Sequence, residues 1–232
     1  MRILTAAASW DGVATARSLA AEGLLVGTAE TWPDLLYMAS SDAHDAVLYC
    51  ADLPQPRPAR CTGALRKLRE VQSGVLAAVT GGDAAPLFDA GADVVVRPDE
   101  PARVLARRLR AAVLRRRGHV PPCAQAGGLA VDVMARTVRA GSRPVALTPL
   151  QYEIVERLAL SAGRTVSRDT LLDALYGWEN EPGARVLDTF LHDIRRRVAE
   201  AGGDAQAIRT RRGAGFLLAP QSGAEAPMRR SA

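Results

Sequence analysis

The chain has 232 residues, 48% of them hydrophobic, with 30 basic against 25 acidic side chains and a formal net charge of +5. That content fills two packed cores and excludes a disordered polyelectrolyte, and no stretch reaches the roughly 18 consecutive apolar residues of a membrane span. Met1-Arg2-Ile3-Leu4-Thr5 lacks the apolar core of a signal peptide, and Cys50, Cys61 and Cys123 have neither metal-ligand spacing nor an even count, so a cytoplasmic protein with free thiols is expected.

Residues 1–117 alternate short apolar runs with helical stretches. Ile3 to Thr5, Leu24 to Val26, Ala46 to Tyr49, Val75 to Val79 and Val94 to Val96 suit strands buried on both faces. Asp11 to Glu22, Pro33 to Ala43, Ala64 to Val71, Ala84 to Ala90 and Ala102 to Arg117 read as the intervening helices, the fourth kept short by Pro86. Five such units predict an α/β doubly wound domain on a five-stranded parallel sheet. Residues 118–128, with Pro121-Pro122 and Gly127-Gly128, read as a linker. Residues 129–219 form the second domain. It starts with a small antiparallel sheet over Leu129 to Met134, Thr137 to Ala140 and Arg143 to Leu147. Thr148 with Gln151 then makes a capping box, Pro149 takes the first helical position, and the helix runs over Tyr152 to Leu160. Ser167 caps a helix over Arg168 to Tyr176, and Gly177 to Gly183 is a loop. The polar tail, 220–232, is expected to be flexible.

The stretch from Arg185 to Phe216 carries the functional signal. Leu187, Leu191, Ile194 and Val198 recur at helical spacing, leaving Arg185, Thr189, His192, Asp193, Arg195 and Arg196 on the other face. A second element, Ile208 to Leu218, has two apolar arms around a Gly-bearing tip with Arg211 and Arg212 near its end, which predicts a hairpin. A basic helix alone also fits a solvated surface; joined to an Arg-tipped hairpin, it is what a winged helix presents to DNA. Almost all the positive charge is Arg, Lys67 being the only lysine, and the planar guanidinium fork suits phosphate and guanine, though a GC-rich genome gives the same bias.

The C-terminal half resembles the DNA-binding domain of OmpR/PhoB-family response regulators through Leu147-Thr148, Glu153, Leu175-Tyr176-Gly177, Asp188, Ile194-Arg195, and Thr210 with Gly213-x-Gly215-Phe216. The loop Tyr176 to Pro182 and Asp188-Thr189-Phe190 look like the cell-cycle regulators of that family. The resemblance implies a winged helix-turn-helix (α+β) domain with double-stranded DNA as its partner, the helix from Arg185 in the major groove, and Arg212, with Arg211, in or beside the minor groove. Thr189, His192 and Asp193 are the candidates for base contact, and Arg185, Arg195 and Arg196 for phosphate. Asp193 either accepts from a cytosine amino group or pairs with Arg196 or Arg197. Asp188 reads as a helix-orienting carboxylate. Trp178, in the loop that the family uses to touch RNA polymerase, is either an exposed contact or folded back onto the domain.

The N-terminal half resembles the receiver domain of the same family in topology and in Asp45 to Tyr49, Leu53-Pro54, Thr80, Gly91-Ala92-Asp93 and Arg97-Pro98. A receiver uses an Asp nucleophile, a carboxylate pair for Mg²⁺ and a cation for the product phosphate. Here the acceptor position maps to Cys50, the carboxylate pair to Ala7 and Ala8, and the usual Lys to Arg97. Asp52 lies two positions beyond the acceptor without a companion carboxylate, and Val94 replaces the usual switch aromatic. The resemblance therefore implies a degenerate receiver that works without Mg²⁺-dependent phosphorylation and needs no metal or cofactor. Cys50 beside Arg97 suits either redox chemistry or simple pocket filling. The last helix resembles the receiver face used for homodimers, with Asp93, Arg103, Arg107 and Arg110 on it and Val104, Leu105, Leu109, Val113 and Leu114 on the apolar side. Without clustered carboxylates or a nucleophile beside a base, an enzyme is not expected. The alternative is a receiver-like interaction module that answers to a partner protein, small ligand or redox state through the altered pocket.

Overall fold

The computed structural model describes residues 1–6, 10–40, 44–50, 58–68, 74–176 and 185–221. The first half runs β1 (Arg2–Ala6), α1 (Trp10–Ala21), β2 (Leu25–Ala29), α2 (Trp32–Ala39), β3 (Ala46–Cys50), α3 (Pro58–Lys67), β4 (Val75–Val79), α4 (Ala85–Asp89), β5 (Val94–Val96) and α5 (Ala102–Arg116). The strands pair in parallel in the order β2-β1-β3-β4-β5, as the alternating apolar runs and helices predict. β3 and β4 are buried along almost their whole length, which is why they read as continuous apolar runs rather than alternating ones. Leu4, Leu35, Val47, Tyr49, Leu65, Leu76 and Leu87 pack together in the core.

Several elements depart from the expected bounds: β2 runs on to Ala29 rather than ending at Val26, and α2 ends at Ala39 rather than Ala43. α3 starts at Pro58 rather than Ala64, because proline is well suited to a first helical turn and Cys61, Thr62 and Leu65 then fall on the buried side. α2 starts one residue earlier, at Trp32, behind a capping box in which Thr31 Oγ1 accepts from the Asp34 backbone N–H at 3.2 Å and Asp34 reaches back to the Thr31 N–H at 3.2 Å. At the lower edge of the sheet Asp45 is buried; it accepts from the Arg2 N–H at 3.0 Å and pairs with Arg117 at 3.7 Å, beside the end of α5. The fourth helix is five residues long with Pro86 in its first turn, as expected.

The second half runs β6 (Cys123–Ala126), β7 (Leu129–Asp132), β8 (Thr137–Ala140), β9 (Arg143–Val145), α6 (Pro149–Leu160), α7 (Arg168–Tyr176), α8 (Arg185–Glu200), a 3₁₀ turn (Ala205–Ala207), β10 (Ile208–Arg211) and β11 (Gly215–Leu218). The chain divides into two compact units, Met1–Pro122 with Thr170–Glu181, and Cys123–Asp169 with Pro182–Ala232. The expected linker, 118–128, is thus corrected at its end: β6 lies within it and pairs antiparallel with β7, making the sheet four-stranded. Residues 177–184, including the expected loop, and the tail from 222 lie outside the described residues.

α6 begins as its sequence requires, with Thr148 and Gln151 exchanging hydrogen bonds of 3.4 and 3.0 Å and Pro149 in the first turn. Its side chains from Gln151 to Leu160 are buried, charged ones included. Arg136, held at φ 55° in the turn before β8, lies 4.8 Å from the Tyr152 ring centroid and donates to Glu153 at 2.5 Å, while the Tyr152 hydroxyl donates to Glu156 at 2.8 Å. Burial, and after it Glu156, pushes the Tyr152 phenol well above its ordinary range, so it stays a neutral donor.

β10 and β11 form an antiparallel hairpin in which Arg211 faces Gly215. Val166 acts as a third, one-residue strand: its N–H donates to the Phe216 carbonyl at 2.8 Å and its carbonyl accepts from the Phe216 N–H at 2.9 Å. This approach requires glycine at position 215, where φ is 135° and a Cβ would stand 2.1 Å from the Val166 carbonyl oxygen. Gly215→Ala is expected to destabilise the second unit by about 3 kcal/mol, since backbone rather than a movable side chain opposes the new methyl group; urea unfolding of the full chain followed by circular dichroism measures this.

Candidate nucleic-acid interface

α8 is set by its apolar stripe. Leu187, Leu191, Ile194 and Val198 are each 0% exposed, so the rotation of the helix is fixed and the opposite face must point to solvent. Thr189, His192 and Arg196 are exposed there, and Asp193 and Arg195 are half-buried. Arg185 opens the helix, but its side chain lies outside the described ones.

The charges on this face are mostly balanced internally. Arg196 donates to Glu200 at 2.7 Å and lies 3.8 Å from Asp193, which is the pairing considered for Asp193. Asp188 pairs with Arg168 at 2.6 Å, and the Arg168 guanidinium lies 4.7 Å from the centroid of the buried Phe216 ring. Arg195 donates through Nε to the Ile208 carbonyl and through Nη2 to Thr210 Oγ1, both at 2.9 Å. Burial pulls its guanidinium below the ordinary arginine value, with Asp188 opposing, and it remains charged. The expected phosphate donor is therefore engaged with the hairpin. The sequence alone does not single out Arg168 or the Val166 contact as parts of the site; the motif from Thr210 to Phe216 is the one signal pointing toward them.

The hairpin presents its charges differently. Ile208, Phe216 and Leu218 are buried, which turns Arg209 and Arg211 outward by the alternation of the strand, and Thr210 and Arg212 are exposed as well. Among the described residues Arg209, Arg211 and Arg212 enter no ion pair, so three unmatched cations stand beside a helix whose Arg196 is paired with Glu200. Such an edge binds polyanions, and the polar face beside it offers hydroxyl, imidazole and carboxylate groups to base edges.

In the first unit, β3, β4 and β5 bring Cys50, Thr80 and Arg97 to their carboxyl ends, where open α/β sheets place their sites. Ala7, Ala8, Asp52 and Leu53-Pro54 lie outside the described residues. The Thr80 hydroxyl accepts from the Gly82 N–H at 3.0 Å, closing its own turn, and the exposed Arg97 pairs with Asp99 at 3.3 Å. Cys50, Thr80 and Arg97, the described residues at this edge among those expected in the pocket, supply no carboxylate for a hard cation.

The expected dimer face is corrected at two positions. Arg110 is 5% exposed and donates to the Glu22 carbonyl at 2.6 Å, tying α5 to the end of α1, so it is not on a free surface. Val104, expected on the apolar side, is 41% exposed. Positions 103 and 110 lie on nearly the same side of the helix, and what separates them is the Glu22 carbonyl at the end of α1, which only Arg110 reaches. Arg103 and Arg107 are exposed as expected. Asp93 accepts from the Leu76 N–H at 2.7 Å and pairs with Arg66 at 2.5 Å and Arg116 at 3.4 Å. Trp178 lies outside the described residues. No helix of the described residues is long and apolar enough to cross a membrane.

Residues 142–218 match the family model for the C-terminal domain of transcriptional regulatory proteins. The chain is 32% identical over 131 residues to the transcriptional regulatory protein PmrA of Pectobacterium parmentieri, covering 56% of this chain and 57% of that one. It is 31% identical over 140 residues to the cell cycle response regulator CtrA of Brucella ovis, covering 60% and 59%. It thus spans under three fifths of the length of these curated relatives. Among solved structures, the response regulator DrrB, a Thermotoga maritima OmpR/PhoB homologue, aligns with 94% of this chain and 98% of its own at 22% identity, with a TM-score of 0.42. Residues 142–218 thus carry a domain of the family found at the C terminus of transcriptional regulatory proteins.

Proposed function

We propose that the protein is a sequence-specific, double-stranded-DNA-binding transcription regulator that acts without Mg²⁺-dependent aspartyl phosphorylation. The observation that carries the DNA reading is the juxtaposition in the second unit of a helix with a fully buried apolar stripe and a hairpin bearing three arginines outside any ion pair among the described residues. The helix is taken as the major-groove reader, with Thr189, His192 and Asp193 toward the bases, and the hairpin as the groove-edge anchor through Arg209, Arg211 and Arg212. Arg196, flanked by Asp193 and Glu200, is assigned a minor share of phosphate binding. The similarity to PmrA, a transcriptional regulatory protein, and to CtrA, a cell cycle response regulator, supports this reading. A homodimer through the exposed Arg103 and Arg107 side of α5 and a contact of Trp178 with RNA polymerase belong to the same proposal.

If the wing holds the free charge, replacing Arg209, Arg211 and Arg212 together by Ala flattens the dependence of log K on log salt by about two to three units, one for each phosphate no longer neutralised, whereas Arg196→Ala changes it by less than about half a unit. Fluorescence anisotropy on a duplex from a genomic binding peak measures both; equal slopes for the two variants place the electrostatic contact on the helix instead. His192→Ala is expected to weaken that duplex by about 1 to 3 kcal/mol while leaving a scrambled one almost unchanged. Equal weakening of the two duplexes removes His192 from the readers. Incubation with acetyl phosphate and Mg²⁺ leaves the intact mass and the DNA affinity unchanged if the altered pocket cannot phosphorylate; a phosphoryl adduct contradicts that part of the proposal.

A further inference from the structure

The DNA-facing helix and the hairpin are joined covalently only through residues 201–207, and a two-stranded hairpin is marginal by itself. A protein that reads two grooves at once gains affinity when the spacing and tilt of its two probes are set before binding, since that ordering is then not lost on association. The side chain that spans the two elements is Arg195. Its fork reaches the first and third residues of β10: Nε bonds the Ile208 main chain and Nη2 bonds the Thr210 side chain, both at 2.9 Å. Two bonds from one planar group fix a strand in rotation as well as in distance, and the donor stands at the border of the buried stripe of α8, next to Ile194. At the other end of the same surface Arg168 holds Asp188 of α8 at 2.6 Å and lies over Phe216 of β11.

Resting on the DNA-binding reading above, we infer that Arg195 is a positioning residue: with Thr210 as its partner, and Arg168 as the second tie, it locks the wing at a fixed geometry to the reading helix, so that Arg211 and Arg212 reach their groove only while this lock is closed. The Nε–Nη2 edge of the guanidinium, which an isolated phosphate contact would use, is here taken up by the hairpin. The lock acts through the wing, so its removal is felt as a loss of what the wing arginines contribute.

Thr210→Val and Arg195→Lys separate this from a phosphate contact. Valine keeps the shape and suits a strand, removing one hydroxyl and no charge; lysine keeps the charge and loses the fork. The full-length protein selects a tight duplex from a random-sequence pool, and each variant, alone and combined with Arg212→Ala, is titrated against that duplex and a scrambled one over a range of salt. With the lock, Arg212→Ala costs about tenfold in affinity in the native background and less than about threefold in either variant background. Thr210→Val also flattens the salt slope by about one unit although no charge is gone. Unchanged thermal midpoints for Thr210→Val keep the result independent of folding. Additive losses in both backgrounds, or Arg195→Lys binding with native affinity and slope, overturn the lock while leaving DNA binding intact. Failure of the native protein to select any duplex overturns the DNA reading itself.

Discussion

The burial of Leu187, Leu191, Ile194 and Val198 is the constraint on which the proposed DNA face depends. Each is entirely removed from solvent, and each contributes about 1.5 to 3 kcal/mol by leaving water. The direction in which they point matters as much as the energy. With the stripe fixed against the core of the second unit, Thr189, His192 and Arg196 have no choice of face, and Arg195, at the border of the stripe, is carried toward β10. The Gly215 approach to Val166 plays the same part for the hairpin: it pins β11, and the outward direction of Arg209 and Arg211 on the facing strand follows from the pleat.

Charge is divided between the two elements in a way that net charge conceals. The +5 of the whole chain is modest. On α8, Arg196 stands between Asp193 and Glu200, and Asp188 is held by Arg168, so the helix surface is close to neutral apart from its first residue. The hairpin tip carries its arginines unmatched among the described residues. A neutral reading surface beside a cationic anchor favours discrimination over mere adhesion, because phosphate attraction is the same for every sequence while base contacts are not.

Periodicity made much of this legible. β4, β5 and α7 have the bounds expected of them, the five-stranded sheet follows from the alternation of runs and helices, and the α8 stripe is the one its spacing predicts. What was not legible lay in interactions without a local period. β6 contains Cys, Ala and Gln and owes its strand to backbone pairing with β7 rather than to its own apolar pattern. Arg110 reads as a surface charge, yet its aliphatic stem follows the apolar side of α5 and its head finds the carbonyl at the end of α1. Arg195 escapes sequence reasoning for the same reason: helical spacing gives the direction of Cα to Cβ, and a long side chain at the border of two faces is decided by whatever acceptor lies nearby in space. Arg136 over Tyr152 depends on a turn residue at positive φ, for which the sequence holds no signal beyond the turn itself.

The first unit shows how a sheet outlives the chemistry proposed to be absent from it. The strand order that places a site at the carboxyl ends of β3, β4 and β5 is maintained by Leu4, Val47, Tyr49 and Leu76, none of which is an ionisable ligand, so the framework does not require a phosphorylatable carboxylate. The side chains at that edge have found local partners: Thr80 closes its own turn and Arg97 pairs with Asp99. Asp93, the acidic member of the proposed dimer face, is held by Arg66, Arg116 and the Leu76 N–H within the same unit. A signal that acted through a new charge at this edge would have to break these pairs before it could be transmitted. Control by concentration, or by a partner that docks on the exposed Arg103 and Arg107 side of α5, asks for no such rearrangement, and it leaves the geometry of the second unit, set by its own buried stripe and arginine ties, as the determinant of what is bound.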